Sequence, residues 1–376
     1  MRMLVFPYGH DCEPIIRHAN LLDPCYEIAA IVSPGGWGLD GKNVTLGRNE
    51  VVLPVYDSIK KVPEEFDSLF IPAFEVSNEV VENRLIDEII KIIPLLDFVI
   101  CTARVTDTNR KKLEEACSNA DPTCVFKDLT KHDGPEAYAL VAPSEKYPSL
   151  HMPNVPMVVV AGCWEKTDKF EVSLALRERF IENGYRLLQI GSRDGCEMLG
   201  FHSFPGFMLR RDVDATDKIF YFNRWILKRV KEEQPDLILL TIPGATQDFN
   251  EQFTRGSGLL HHQVFQAITP DVLLLCTFYM PDSLKILEDL ALSCKYRFGA
   301  SVDAFHMSNL FVDIIDSQQF NHVITNSIYR ETVSDAIRGL TASSIPVFNM
   351  LDSTDCDRMF DNIIEKLSPK DVQFVI

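Results

Sequence analysis

The sequence predicts an α/β protein built as two parallel-sheet domains in series, and three observations predict it. The chain has 376 residues, more than one hydrophobic core usually organises. Short apolar runs alternate with helix-patterned segments as far as residue 130, the pattern of strands covered by helices on both faces. After a proline-containing break the alternation restarts on PMVVVAG, which ends at Gly162 and is apolar on both faces, as a central parallel strand must be. The expected layout is an N-terminal Rossmann-like parallel sheet domain over 1–132, a connecting segment over 133–155, and a P-loop-NTPase-like α/β domain over 156–376.

In the first half the runs MLVF, YEIAAIVS, SLFIPA and FVICTA predict strands, and EVVENRLIDEIIKII predicts a helix between the last two. Residues 133–156 carry recurrent prolines and lose the hydrophobic period, which marks a connection with room for one short helix. In the second half a helix is expected over 169–183, stopped by Gly184 in a left-handed conformation. Strand RLLQIGS, helix FYFNRWILKRVKEEQ, strands DLILLTIPG and DVLLLCTF, helix SLKILEDLALSC, strand IPVFNML and helix CDRMFDNIIEKL follow in turn.

Composition excludes several classes. A formal charge of -17 opposes nucleic acid and anionic membrane surfaces, which reward lysine and arginine. No window approaches the roughly 18 apolar residues that span a bilayer. The opening MRMLVFPYGHDCEP has too short an apolar run for a signal peptide and is expected to form the first strand. Ten cysteines at irregular spacing, without CxxC or zinc-finger partners, predict buried reduced thiols, no metal and a cytoplasmic location.

The motif that carries chemistry is the loop Gly162-Cys-Trp-Glu-Lys166-Thr167-Asp168-Lys169-Phe170. A strand, a loop with glycine and a helix whose first lysine points back can wrap backbone N–H groups around phosphate. The leading glycine and the lysine are present. Asp168 stands where the second glycine belongs and Phe170 where the magnesium-binding hydroxyl belongs. The acid expected at the end of a later strand is replaced by Thr241, and Asp248 could substitute only if its loop folds back. Two expectations follow: a loop that no longer hydrolyses nucleotide, or a shifted site using Lys166, Thr167 and Lys169, with ATP or GTP and magnesium as cofactor only in the second case. Ser192 and Asp194, at the carboxyl end of the neighbouring strand, are candidates to meet a phosphate or metal. Cys163 would gain thiolate character from a helix N-terminus.

These residues carry a resemblance. The second half resembles the P-loop domain of cyclic 2,3-diphosphoglycerate synthetase and of related proteins that pair a Rossmann domain with a P-loop domain; there the loop looks like GTGKRTGKT, matched here by Gly162, Lys166-Thr167 and Lys169. Ile190-Gly-Ser-Arg-Asp-Gly195 corresponds to their glycine-rich turn, whereas Thr241-Ile-Pro-Gly244 lacks their acidic residue. Over its whole length the chain resembles the clostridial peptide maturation system family, on an opening like LVFPYGH, the segment SPGGWGLDGK over 33–42 and the degenerate loop. That resemblance implies an accessory or scaffold role in maturing a ribosomally made natural-product peptide, with the precursor peptide or other maturation proteins as partners.

In the first half the rim beyond the strand ends presents His10, Trp37, Lys42 and Arg104 as a candidate anionic-ligand site. The first loop lacks GxGxxG, against a dinucleotide cradle. Trp37, among four glycines, either offers a flat binding face or packs on the neighbouring domain. His261 and His262 diverge by about 100° if helical, so they cannot share one metal. An ATP-dependent ligase or kinase using Lys169 and a non-catalytic small-ligand regulator are the alternative functions, and homo-oligomerisation is left open.

Overall fold

The computed structural model describes residues 1–47, 51–76, 78–130, 149–250, 256–281, 283–320, 323–340 and 343–368. Most of the expected connecting segment, 133–148, lies outside them. The chain divides into two compact units, Met1–His132 with Asp194–Phe201, and Asp133–Arg193 with His202–Ile376. The stretch Asp194–Phe201 belongs to the first unit although the surrounding chain builds the second.

The first unit runs β1 (Arg2–Val5), α1 (Glu13–Arg17), β2 (Glu27–Val32), β3 (Asn43–Leu46), β4 (Val51–Tyr56), β5 (Ser68–Ile71), α2 (Glu79–Ile90), β6 (Phe98–Cys101), α3 (Asp107–Ser118) and β7 (Val125–Asp128). Its seven strands are ordered β3-β4-β2-β1-β5-β6-β7, parallel except for β3 against β4. That antiparallel arm breaks the expected uniform alternation. Its strands keep exposed residues such as Val51 and Val52, so they lack the two-faced burial that makes the central strands conspicuous. One face of the sheet buries Leu4, Val32, Leu69 and Val99 against Leu85, Ile86 and Ile89 of α2 and Leu113 of α3.

A buried carboxylate pins α2 to α3. Glu82 accepts from the backbone N–H and hydroxyl of Thr106 at 2.8 and 2.9 Å and from Nδ2 of Asn109 at 2.8 Å. Burial by itself pushes its pKa up, but these three donors outweigh burial and hold it below the ordinary value.

The second unit runs β8 (Met157–Gly162), α4 (Lys169–Glu182), β9 (Leu187–Gly191), β10 (His202–Ser203), α5 (Ala215–Glu233), β11 (Leu237–Thr241), α6 (Leu259–Ala267), β12 (Val272–Thr277), α7 (Leu284–Phe298), β13 (Ala304–Met307), β14 (Leu310–Asp313), α8 (Ile314–Phe320), β15 (Ile324–Ser327), α9 (Arg330–Gly339), β16 (Val347–Phe348) and α10 (Ser353–Leu367). Seven parallel strands take the order β10-β9-β11-β8-β12-β13-β16, with β14 and β15 as a separate antiparallel pair. Every residue of β8, β11 and β12 is buried. Met157, Val159 and Ala161 pack with Phe222 and Ile226 of α5, while Val158 and Val160 pack with Leu176 and Phe180 of α4 and Met359 of α10. The unit is therefore three layers with β8 at its centre. The helix ending before Gly184 stops as expected, with that glycine at φ +80. No helix among the described residues is long and apolar enough to cross a membrane.

Replacing Glu82 by Gln is expected to cost about 1–3 kcal/mol, because all three donors meet one oxygen and a neutral amide oxygen accepts from them more weakly than a carboxylate does. Since the folded pKa is the lower one, the wild-type contribution is complete above the ordinary carboxylate value of about 4.3 and fades as pH falls through the folded value. Urea unfolding of both proteins as a function of pH checks this; a stability difference that stays constant down to strong acid would contradict it.

Candidate functional site

The central strand β8 delivers the chain into residues 163–168, and α4 begins at Lys169. Gly162 has to be glycine: a Cβ there would lie 2.6 Å from both the Thr167 hydroxyl and the Trp164 carbonyl, and 3.3 Å from Lys169 Cδ. The loop closes on itself at this point, with Thr167 Oγ1 donating to the Trp164 carbonyl at 3.0 Å. It is anchored to its neighbours through Cys163 N–H to the Cys276 carbonyl at 2.8 Å, and through Thr246 and Gln247 N–H to the carbonyls of Gly162 and Cys163 at 2.9 and 3.0 Å. Trp164 stacks on Phe278 with centroids 5.6 Å apart and meets Phe249 edge-on at 5.9 Å.

Lys166 and Asp168 take left-handed φ values of 60 and 56. Such a conformation costs a non-glycine residue about 1–2 kcal/mol, so the loop keeps a glycine-like shape at Asp168 without the glycine. The side chain is held from another strand. Asp168 Oδ2 accepts from the Ser308 hydroxyl at 2.5 Å and lies 4.0 Å from Nε2 of His306, which sits on β13. His306 is fully buried and its Nδ1 accepts from the Met350 N–H at 3.1 Å. The ring proton is thereby placed on Nε2, facing the carboxylate.

Lys169 is partly buried and its ammonium donates to the Gly244 carbonyl. Burial brings its pKa down to about 8, the nearby Glu165 pulls it up and Arg193 pushes it further down. Arg193 lies over the ring of Phe170, 4.9 Å from its centroid, and Phe170 itself is 3 % exposed. Ser192 is partly buried at the end of β9, beside Arg193. Gly162, Lys166, Thr167, Asp168 and Lys169 thus lie on one loop.

Asp194 belongs to the first unit and binds Arg104 as a fork, Nε to Oδ2 at 2.8 Å and Nη2 to Oδ1 at 3.3 Å. The two candidates are thus each other's partners. Arg104 is 63 % exposed on its side chain, so solvent limits the pair to about 1 kcal/mol or less. The adjoining Gly195 packs so closely that a Cβ would lie 2.3 Å from Thr102 Cγ2.

The remaining rim residues are scattered in role. His10 is bonded through Nδ1 to Glu13 Oε1 at 2.5 Å, which raises its pKa despite partial burial. Lys42 is exposed. Trp37 is half-buried against the first unit's own core, with a ring atom 3.0 Å from where a Gly9 Cβ would be. Cys163 reverses its expectation as well: burial pushes the thiol well above its ordinary pKa, and neighbouring Cys294 and Cys276 add to the effect. Asp248 is exposed, and it is its backbone carbonyl that faces the loop, accepting from Trp164 Nε1 at 3.3 Å. His261 is buried and His262 exposed.

His306, Ser308 and the Gly244 carbonyl are absent from the sequence-based candidates. A lone histidine in the apolar run AFHM is the one signal that could have drawn attention to β13.

No family model matches the chain, and none of the curated proteins matches it. The fold is similar to that of a DUF1611 family protein from Anabaena variabilis, with 12% identity over 97% of this chain and 99% of that one and a TM-score of 0.61. This likeness shows the two-sheet α/β architecture. Apo McdA from Cyanothece aligns with 58% of this chain and all of its own at 12% identity and a TM-score of 0.34. An apo GTPase from Pyrococcus abyssi aligns with 55% of this chain and 96% of its own at 13% identity and a TM-score of 0.27.

Gly162→Ala is expected to destabilise the second unit by about 1–3 kcal/mol through overpacking. Gly35→Ala, where no atom lies within 4 Å of the added Cβ, serves as the control. Equal melting temperatures for the two variants would show that the loop is not closed as described.

Proposed function

We propose that the second unit holds an anionic, phosphate-bearing ligand without hydrolysing it, and that the protein acts as an accessory or scaffold protein. One observation carries this reading: Phe170 is buried at the position of the metal-binding hydroxyl while Lys169 is retained and aimed by the Gly244 carbonyl. Grip on a phosphate group survives in such a loop, and the metal that activates the γ-phosphate has lost its ligand. The resemblance to the clostridial peptide maturation system family supports a setting in the maturation of a ribosomally made peptide, with the precursor peptide as partner.

A second reading is an ATP-dependent ligase or kinase acting on a small carboxylate or phosphate substrate. The closed backbone at Gly162 and the glycine-like φ of Asp168 favour it, because both shapes belong to a working phosphate cradle.

Incubation with ATP or GTP and magnesium, alone and with a precursor peptide, is expected to give no turnover, while the peptide binds measurably. Steady nucleotide hydrolysis that disappears in Lys169→Ala, with the fold intact by circular dichroism, would establish the second reading instead. Anion affinity is also expected to fall as pH rises through about 8 in the free protein, where Lys169 gives up its proton. Titration across that range is the check, and Lys169→Ala is expected to lose the pH step.

A further inference from the structure

We propose that Cys117 and Cys124 form a reversible disulfide that ties the end of α3 to the start of β7, with a hydroperoxide as the oxidant. Both cysteines lie in the first unit, and the pair stands whether or not the second unit holds a phosphate.

Backbone and side chains both bring the two residues together. Cys117 sits in the last turn of α3 and Cys124 immediately precedes β7. The Cys124 N–H donates to the Cys117 carbonyl at 3.2 Å, which closes the turn between them. Both side chains enter the apolar cluster that packs α3 on the sheet, where the residues are 1 % and 3 % exposed. Within it the Cys117 S–H donates to the Cys124 sulfur. A disulfide requires α-carbons within about 7 Å and side chains that point towards each other. The backbone bond supplies the first condition and the thiol contact the second.

Other cysteines of the chain fail one of these conditions. Cys163 and Cys276 are also joined by a backbone bond, at 2.8 Å. Cys163, however, packs with Val159 and Ala161 on one side of the second unit's sheet, and Cys276 with Val158 and Val160 on the other, so their sulfurs point apart. Cys101 shares the cluster of the proposed pair, but its thiol donates to the Ala103 carbonyl at 3.6 Å.

The direction of the thiol contact sets the order of the chemistry. Burial pushes the Cys117 thiol up to about 12 and raises Cys124 as well, but the S–H of Cys117 steadies the Cys124 thiolate and works against that rise. Since the thiolate is the nucleophile, Cys124 attacks first. Access comes through the turn: residues 118, 119 and 121–123 are exposed, and β7 is the last strand of its sheet, paired only with β6. A segment of this kind opens more readily than the core. The Cys124 sulfur takes the terminal oxygen of the hydroperoxide, the O–O bond breaks, and the leaving oxygen picks up the proton that Cys124 released. The resulting sulfenic acid is attacked by the Cys117 sulfur, which gives up its proton as hydroxide departs as water. Two electrons pass from the thiols to the peroxide, and a dithiol returns them by two exchange steps.

The test uses the full chain carrying Cys25→Ser, which removes the exposed thiol. It is treated with hydrogen peroxide over a time course while folded, then unfolded, alkylated and mapped by peptide mass. The expected product is lighter by two hydrogens, with the link between Cys117 and Cys124, and dithiothreitol removes it. Cys101→Ser should leave the yield of that link unchanged. Cys117→Ser should leave Cys124 as a sulfenic acid that dimedone captures, and Cys124→Ser should leave Cys117 unoxidised, each with the fold intact by circular dichroism. Dimedone capture on Cys117 instead would overturn the order of attack. A link between other cysteines, oxidation of these two without a link, or a folded protein whose Cys117 and Cys124 both stay free throughout overturns the inference.

Discussion

Everything at the candidate site depends on the space missing at Gly162. Because the Trp164 carbonyl and Thr167 hydroxyl approach within 2.6 Å of where a Cβ would be, the chain leaving β8 is forced to double back before α4 begins. That reversal puts the backbone of 163–168 over the helix start and sends the Lys169 side chain towards Gly244. The two left-handed residues, Lys166 and Asp168, are the local cost of so tight a turn. They are tolerated because the all-buried strands on either side hold the loop ends in place.

The electrostatics explain why a loop with an aspartate at closest approach still keeps its shape. Here the Ser308 hydroxyl, just past the end of β13, donates to Asp168, and the buried ring of His306 lies 4.0 Å from the carboxylate. The ring of His306 is held by the Met350 amide on Nδ1. A substitution that looks damaging in isolation is thus matched by groups over a hundred residues away, as coupled buried polar groups commonly are.

The architecture is legible in the sequence because its central strands are so distinctive. PMVVVAG, DLILLTIPG and DVLLLCTF are apolar on both faces, which few other arrangements permit. The β3–β4 arm and the β14–β15 pair are not legible, since short half-exposed strands carry little hydrophobic period. At the site, the loop residues can be named because they are contiguous. His306 and Ser308 cannot, since only strand order brings β13 near α4. Nor is the pairing of Asp194 legible, since its partner Arg104 lies 90 residues away.

The assignment of Asp194–Phe201 to the first unit bears on where the chain can be cut. The polypeptide passes between the units three times, so neither is a self-contained cassette in the gene. A fragment ending at residue 132 lacks the carboxylate that pairs with Arg104 and the Met198 carbonyl that accepts the Asp23 amide at 2.9 Å. A foreign half in place of everything after residue 132 would take from the first unit a buried part of its own structure, including Cys196, Met198 and Leu199, whereas exchanging residues 1–132 leaves the second unit with all of its segments.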